Sequence, residues 1–135
     1  MIRVVVVDDE ALVRTGLELI LNAAGDVRVV ATATGAEAMA AVTGHRPDVV
    51  LLDIRMPDVD GLTILRQLRE TTPQTPVAIL TTFGSDSYVV KALRSGAAGF
   101  ILKDTRPEQL AQLVRTLAAG GVVLPPRSAR GRTVW

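Results

Sequence analysis

The sequence predicts an α/β domain, a five-stranded parallel sheet with helices on both faces, and three observations carry that prediction. Five short β-branched runs, Ile2–Val7, Val27–Ala33, Val49–Leu52, Val77–Leu80 and Gly99–Leu102, do not alternate cleanly with polar residues. Such runs suit strands buried on both faces. Stretches with apolar residues at helical spacing separate them. The strict alternation of the two supplies the crossovers that parallel neighbours require, and these are right-handed.

Taken in order, the first strand is stopped by Asp8, Asp9 and Glu10, and Asp9 stands where a helix N-cap is wanted. Val13, Leu17, Ile20 and Ala24 mark the core face of the first helix, and Gly25 suits a left-handed residue ending it. A second stripe on that helix, Leu12, Gly16, Leu19 and Ala23, is expected at the edge of the core. Its alternative is a docking face for a second copy or a kinase, with the last helix as companion surface. The second helix is expected to close at Gly44, before a His45-Arg46-Pro47-Asp48 loop. With no second His and no Cys, His45 has no support as a metal ligand or nucleophile. The third strand leads to Asp53, and Asp60-Gly61 opens the helix after it. The fourth leads to Thr81-Thr82, with Ser85 as the next N-cap and Gly96 as the stop. Lys103 follows the fifth strand, and Pro107 suits the first turn of the last helix. Its core face is Leu110, Leu113, Val114 and Leu117, and Gly120-Gly121 closes it. Val122–Leu124 reads as a short strand or a surface segment, and Pro125-Pro126 begins a Pro/Arg/Ser/Gly linker or tail. Tyr88 and Trp135 read as packing and tail residues.

Composition narrows the classes. With 135 residues, 48% hydrophobic and 21% charged, the chain is one folded domain rather than a disordered one. Aromatic residues make up only 3%, so Val, Leu, Ile and Ala must fill the core. The absence of cysteine excludes disulfides, thiolate nucleophiles and cysteine zinc sites, and fits a cytoplasmic setting. No apolar run approaches the roughly 20 residues of a membrane span, and the acids at 8–10 end any signal-peptide reading. Of 15 basic residues, Arg127, Arg130 and Arg132 lie after Pro125 with no acid beside them, leaving 12 bases against 14 acids, a net of −2, in the body. The body therefore has no electrostatic footprint for nucleic acid.

Sites on open α/β sheets form beyond the carboxyl ends of the strands, and here four of the five ends are polar. The first carries Asp8 and Asp9, the third Asp53, the fourth Thr81 and Thr82, the fifth Lys103. If the first and third strands are neighbours, three carboxylates converge, at a cost that a shared cation relieves. Oxygen ligands in that number suit Mg²⁺, which keeps several waters. A hydroxyl and an ammonium beside them suit phosphoryl oxygens, which makes Asp53 the candidate nucleophile of an aspartyl phosphate. Taken singly, each residue also has a plain structural use: Asp9 as a cap, Thr81 as a β former, Lys103 as a solvated charge.

The strings Val7-Asp8-Asp9-Glu10, Leu51-Leu52-Asp53-Ile54-Arg55-Met56-Pro57-Asp58-Val59-Asp60-Gly61, Leu80-Thr81-Thr82 and Gly99-Phe100-Ile101-Leu102-Lys103 together resemble the bacterial response-regulator receiver domain over about residues 1 to 121. The resemblance implies a doubly wound (βα)5, CheY-like fold with strand order 2-1-3-4-5. It implies Asp53 as phosphoacceptor, Asp8 and Asp9 as metal-binding acids, and Arg55 as a ligand through its backbone carbonyl, the metal being Mg²⁺ or Mn²⁺. Thr81 and Lys103 match the phosphate-contacting pair, and Thr81 and Phe100 the switch positions. Lys103-Asp104 is similar to the subfamily with a LuxR-type helix-turn-helix output, in place of the Lys-Pro of many receivers. A cis bond there is disfavoured by about 2.5–4 kcal/mol. Phe100 lacks a tyrosine hydroxyl, so any switching by it works through burial.

The resemblance further implies a sensor histidine kinase as phosphodonor, a homodimer through the first and last helices or the fourth-helix, fifth-strand and fifth-helix face, and contact with DNA only through an output domain. Residues 122–135 are expected as linker or tail. Two other readings stand beside it. A stand-alone or degenerate receiver would act as a protein-interaction module, the degenerate one without phosphorylation. A phosphohydrolase of haloacid-dehalogenase type would use a similar Asp, Thr, Lys and Mg²⁺ set but needs a second Asp two residues after the nucleophile, where this chain has Arg55.

Overall fold

A computed structural model describes residues 1–56, 59–82 and 86–124, with only the backbone for 86–88. Five strands, β1 (Ile2–Val7), β2 (Val27–Ala33), β3 (Val49–Asp53), β4 (Val77–Thr81) and β5 (Gly99–Leu102), form one parallel sheet in the order β2-β1-β3-β4-β5. Five helices, α1 (Ala11–Asn22), α2 (Ala38–His45), α3 (Gly61–Thr71), α4 (Asp86–Arg94) and α5 (Pro107–Ala118), cover its faces, and a 3-10 turn at Gly35–Glu37 precedes α2. The doubly wound order expected from the motifs is the order found.

The strands' lack of polar alternation follows from this cover. Val4–Val7 and Val49–Leu52 are fully buried because β1 and β3 are central and helices close both sides. Edge strand β2 is looser, and Arg28 and Thr32 reach solvent. One face carries Val5, Val7, Val50, Leu52, Ile79 and Phe100 under α2, α3 and α4. The other carries Val4, Val6, Leu51, Leu80 and Ile101 under α1 and α5. The register pairs Val7 with Leu52, Asp53 with Leu80 and Thr81 with Leu102, so four strands end level along one edge. β3 and β4 each run one residue further than their apolar runs, and Asp53 and Thr81 are still paired in the sheet.

Several local expectations are corrected. Asp9 does not cap α1: the cap position is Glu10, without a side-chain bond. Its nearest equivalent is Asp8, whose Oδ1 accepts the Glu10 N–H at 2.8 Å. Gly44 lies inside α2, and the left-handed residue after that helix is Arg46, at φ 47°. Gly25 and Gly96 do take positive φ as expected. Leu12 and Leu19 are not the edge of the core but stand 88% and 69% exposed. Seven residues make nearly two turns, so they share a face that lies opposite the buried Leu21. Past α5, Val123 pairs in parallel with Gly99 and is buried, so the packed body reaches at least that far. Pro57, Ser85, the Tyr88 side chain, Pro125-Pro126, the three tail arginines and Trp135 lie outside the described residues.

Candidate functional site

At the carboxyl edge of the sheet, β1 releases Asp8, β3 ends in Asp53, and the backbone N–H of Lys103, just past β5, donates to Thr81 O at 2.8 Å. Asp8 is fully buried and Asp53 is 4% exposed. Lys103 joins them. Its Nζ donates to Asp53 Oδ2 at 3.1 Å and lies 2.9 Å from Asp8 Oδ2. The second contact is an ion pair, and Asp8 Oδ2 accepts no hydrogen bond. Glu10 Oε1 stands further out, 3.8 Å from the ammonium. The Arg55 N–H donates to Asp53 Oδ1 at 3.0 Å, and Arg14 Nη1 donates to the Asp8 carbonyl at 2.6 Å.

Burial pushes the Asp53 carboxyl above its ordinary value of 3.8; the Arg55 N–H opposes this, the nearby Asp8 charge adds to it, and Lys103 offsets part of it. For Lys103 burial works against the charged form, but its close contacts with the Asp8 and Asp53 carboxylates outweigh it and the ammonium is held above 10.5. One ammonium against two buried acids leaves the cluster negative and receptive to a further cation.

The sequence-derived residues do not all arrive in the same place. Asp8, Asp53 and Lys103 meet. Asp9 is drawn aside: its Oδ1 accepts the Gly35 N–H at 3.0 Å, a donor at the start of a helical turn that needs a partner. Among the described residues no three acidic or histidine side chains form a ready metal cage. The donor set nonetheless fits a hard divalent ion, because it is all oxygen and Asp8 Oδ2 is a buried carboxylate oxygen without a hydrogen bond. Thr81 is at the strand end, but its hydroxyl donates to Thr82 O at 2.8 Å. Arg55 bridges to Asp60 across the loop with its side chain exposed. Phe100 is 1% exposed, its ring already in the core under α4.

Sequence reasoning missed the supports. Gly35, Arg14 and Glu10 act on the acids through contacts between β1, the β2–α2 turn and α1, which no linear spacing announces. Gly61 was legible only as a helix opener. A Cβ there would lie 2.6 Å from Ile54 Cα, so its bareness is what lets α3 close on the backbone beside Asp53.

Comparison with known proteins agrees with the geometry. The family model described as "Response regulator receiver domain" matches residues 4–115. The oxygen regulatory protein NreC of Staphylococcus epidermidis is 46% identical over 120 residues, covering 87% of this chain and 55% of the relative. The chain thus spans about half the length of the curated relatives it matches. The receiver domain of the putative response regulator NarL from Mycobacterium tuberculosis superposes with a TM-score of 0.82 at 39% identity, covering 88% of this chain and 97% of that one. A LuxR-family two-component response regulator from Aurantimonas reaches a TM-score of 0.87 at 27% identity, covering 96% and 94%. With the strand order, the buried Asp8 and Asp53 joined by Lys103, and a family model spanning most of the sequence in accord, the chain belongs to the response regulator receiver domain family.

Proposed function

We propose that this domain is a phosphorylation-controlled switch that takes a phosphoryl group from a sensor histidine kinase onto Asp53. The observation that carries the reading is the buried Asp53 carboxylate, held by Lys103 and the Arg55 N–H at the sheet edge. An Asp53 oxygen attacks phosphorus as the bond to the donor's imidazole nitrogen breaks, and that nitrogen keeps the electron pair. Lys103 neutralises charge on the transferred oxygens, and Thr81 gives up its bond to Thr82 O to contact one of them. Asp8, Asp9, Asp53 and the Arg55 carbonyl would hold Mg²⁺ or Mn²⁺, which supplies further neutralisation of phosphoryl charge.

Water later cleaves the acyl phosphate, so the domain assists its own turnover and acts on no external metabolite; Arg55 stands where a phosphohydrolase of the rival type places its acid/base. Thr81 and Phe100 form the switch, with the Phe100 ring already inward. The receiver, residues 1–121 with Val123 docked on β5, controls an output domain that binds DNA in a longer chain. Homodimers form through α1 and α5 or the α4-β5-α5 face, and the exposed Leu12 and Leu19 favour the first. The switch works in the cytoplasm beside the kinase; among the described residues no helix is long and apolar enough to cross a membrane. The test is mass spectrometry after incubation with acetyl phosphate and Mg²⁺. One base-labile phosphoryl group is expected on the unaltered chain and none on Asp53→Asn; modification of Asp53→Asn at the unaltered rate overturns the assignment.

A further inference from the structure

Past α5 the chain turns back onto the sheet. Gly120 takes φ +90° and the Gly121 N–H donates to Thr116 O at 2.9 Å, reversing the chain toward β5. Val123 then lies alongside β5, parallel to it. Its carbonyl accepts the Phe100 N–H at 2.8 Å, its N–H donates to Ala98 O at 3.3 Å, and its side chain is 4% exposed in the core under α1 and α5. Gly99 makes this possible, since a Cβ there would collide with the Val123 carbonyl oxygen and lie 2.9 Å from its nitrogen. Leu124 follows, lining a groove with Leu102, Thr105 and Leu113.

β5 has only four residues and one strand neighbour, β4, so its other side would be an open edge. The segment closes that edge at Phe100, three residues before Lys103. We propose that residues 122–124 are a positioning element for Lys103: they clamp β5 from its outer side and so hold the ammonium against Asp8 and Asp53. The acids themselves stand on β1 and β3, central strands whose backbone pairs with β2, β4 and each other and not with the segment. Losing the segment therefore loosens the ammonium while sparing the carboxylates, and separates phosphoryl recognition from divalent-ion recognition. This rests on the reading of Asp53 as phosphoacceptor.

The test uses the full chain and two variants. Gly99→Ala expels the segment by collision from the β5 side, and Val123→Asp expels it from its own side by making the buried position charged. Calorimetric titration measures Mg²⁺ alone, then beryllofluoride at saturating Mg²⁺, with circular dichroism to establish folding and amide exchange over residues 99–103. Both variants are expected to bind beryllofluoride about fivefold or more weakly, with Mg²⁺ affinity undiminished and faster exchange at 100–103. Unchanged beryllofluoride affinity in a folded variant overturns the positioning role, as does an equal loss of Mg²⁺ affinity. If neither variant folds, the segment serves stability and the role is likewise overturned. If the unaltered chain does not bind beryllofluoride, the phosphoacceptor reading itself falls, and this inference with it.

Discussion

Asp53 is a carboxylate placed where a carboxylate is costly, and its shift makes that cost measurable. Its folded pKa is raised, first by burial, so the folded protein holds this proton more tightly than the unfolded chain. The corresponding stability is fully present below about pH 3.8 and is lost as pH rises through the folded value. Above that window the charged group strains the fold for the sake of its chemistry. Asp53→Asn, near in shape and uncharged, should therefore melt a few degrees higher than the unaltered domain at neutral pH in chelated buffer. That gain should shrink toward nothing as the pH is brought below the ordinary carboxylate range; thermal melts across pH check it, and a lower melting temperature at neutral pH would contradict it. At this scale the identity of the chemical residues was legible, because polar strand ends stand out against apolar runs. The orientations of Asp9 and Thr81 were not, since each depends on a nearby backbone group, Gly35 N–H or Thr82 O.

The start of α3 shows how an element is tied to the site. Asp60 Oδ1 accepts the Leu62 N–H at 3.1 Å, a helix cap that the Asp60-Gly61 pair already suggested. Asp60→Ala should cost about 1 kcal/mol of stability by chemical denaturation, with phosphorylation at Asp53 retained. Gly61→Ala should cost more than Asp60→Ala, because its Cβ meets Ile54 backbone rather than a movable side chain, and it should also slow phosphorylation by shifting the loop next to Asp53. Equal behaviour of the two variants would show that the close approach at Gly61 has no role in shaping the site. Element order was readable from periodicity, and strand ends to within one residue. Helix ends were less so: α2 runs through Gly44 and ends at His45, because Arg46, not a glycine, takes the left-handed φ of 47° that turns the chain out of the helix.

For the molecule as a whole, a ligand that binds only the folded state stabilises it by mass action, about 2.7 kcal/mol at 100 times its dissociation constant. Mg²⁺ should accordingly raise the melting temperature of the unaltered domain, and Asp8→Asn should reduce the rise by removing a buried oxygen that accepts no hydrogen bond. Superimposed melts with and without Mg²⁺ would count against a divalent site among these acids. The sequence by itself determined the fold class, the number and order of elements, and which residue types stand at the strand ends, because burial on two faces and helical spacing are both written in local hydrophobic pattern. Only the tertiary structure decided which of those residues meet. Lys103 reaches Asp8 and Asp53 across 95 and 50 positions of chain because the register levels the ends of β1, β3, β4 and β5. The docking of Val123 on β5 and the exposure of Leu12 and Leu19 were settled in the same way, by which surfaces the packed sheet left open, a property of the assembled layers that no single segment carries.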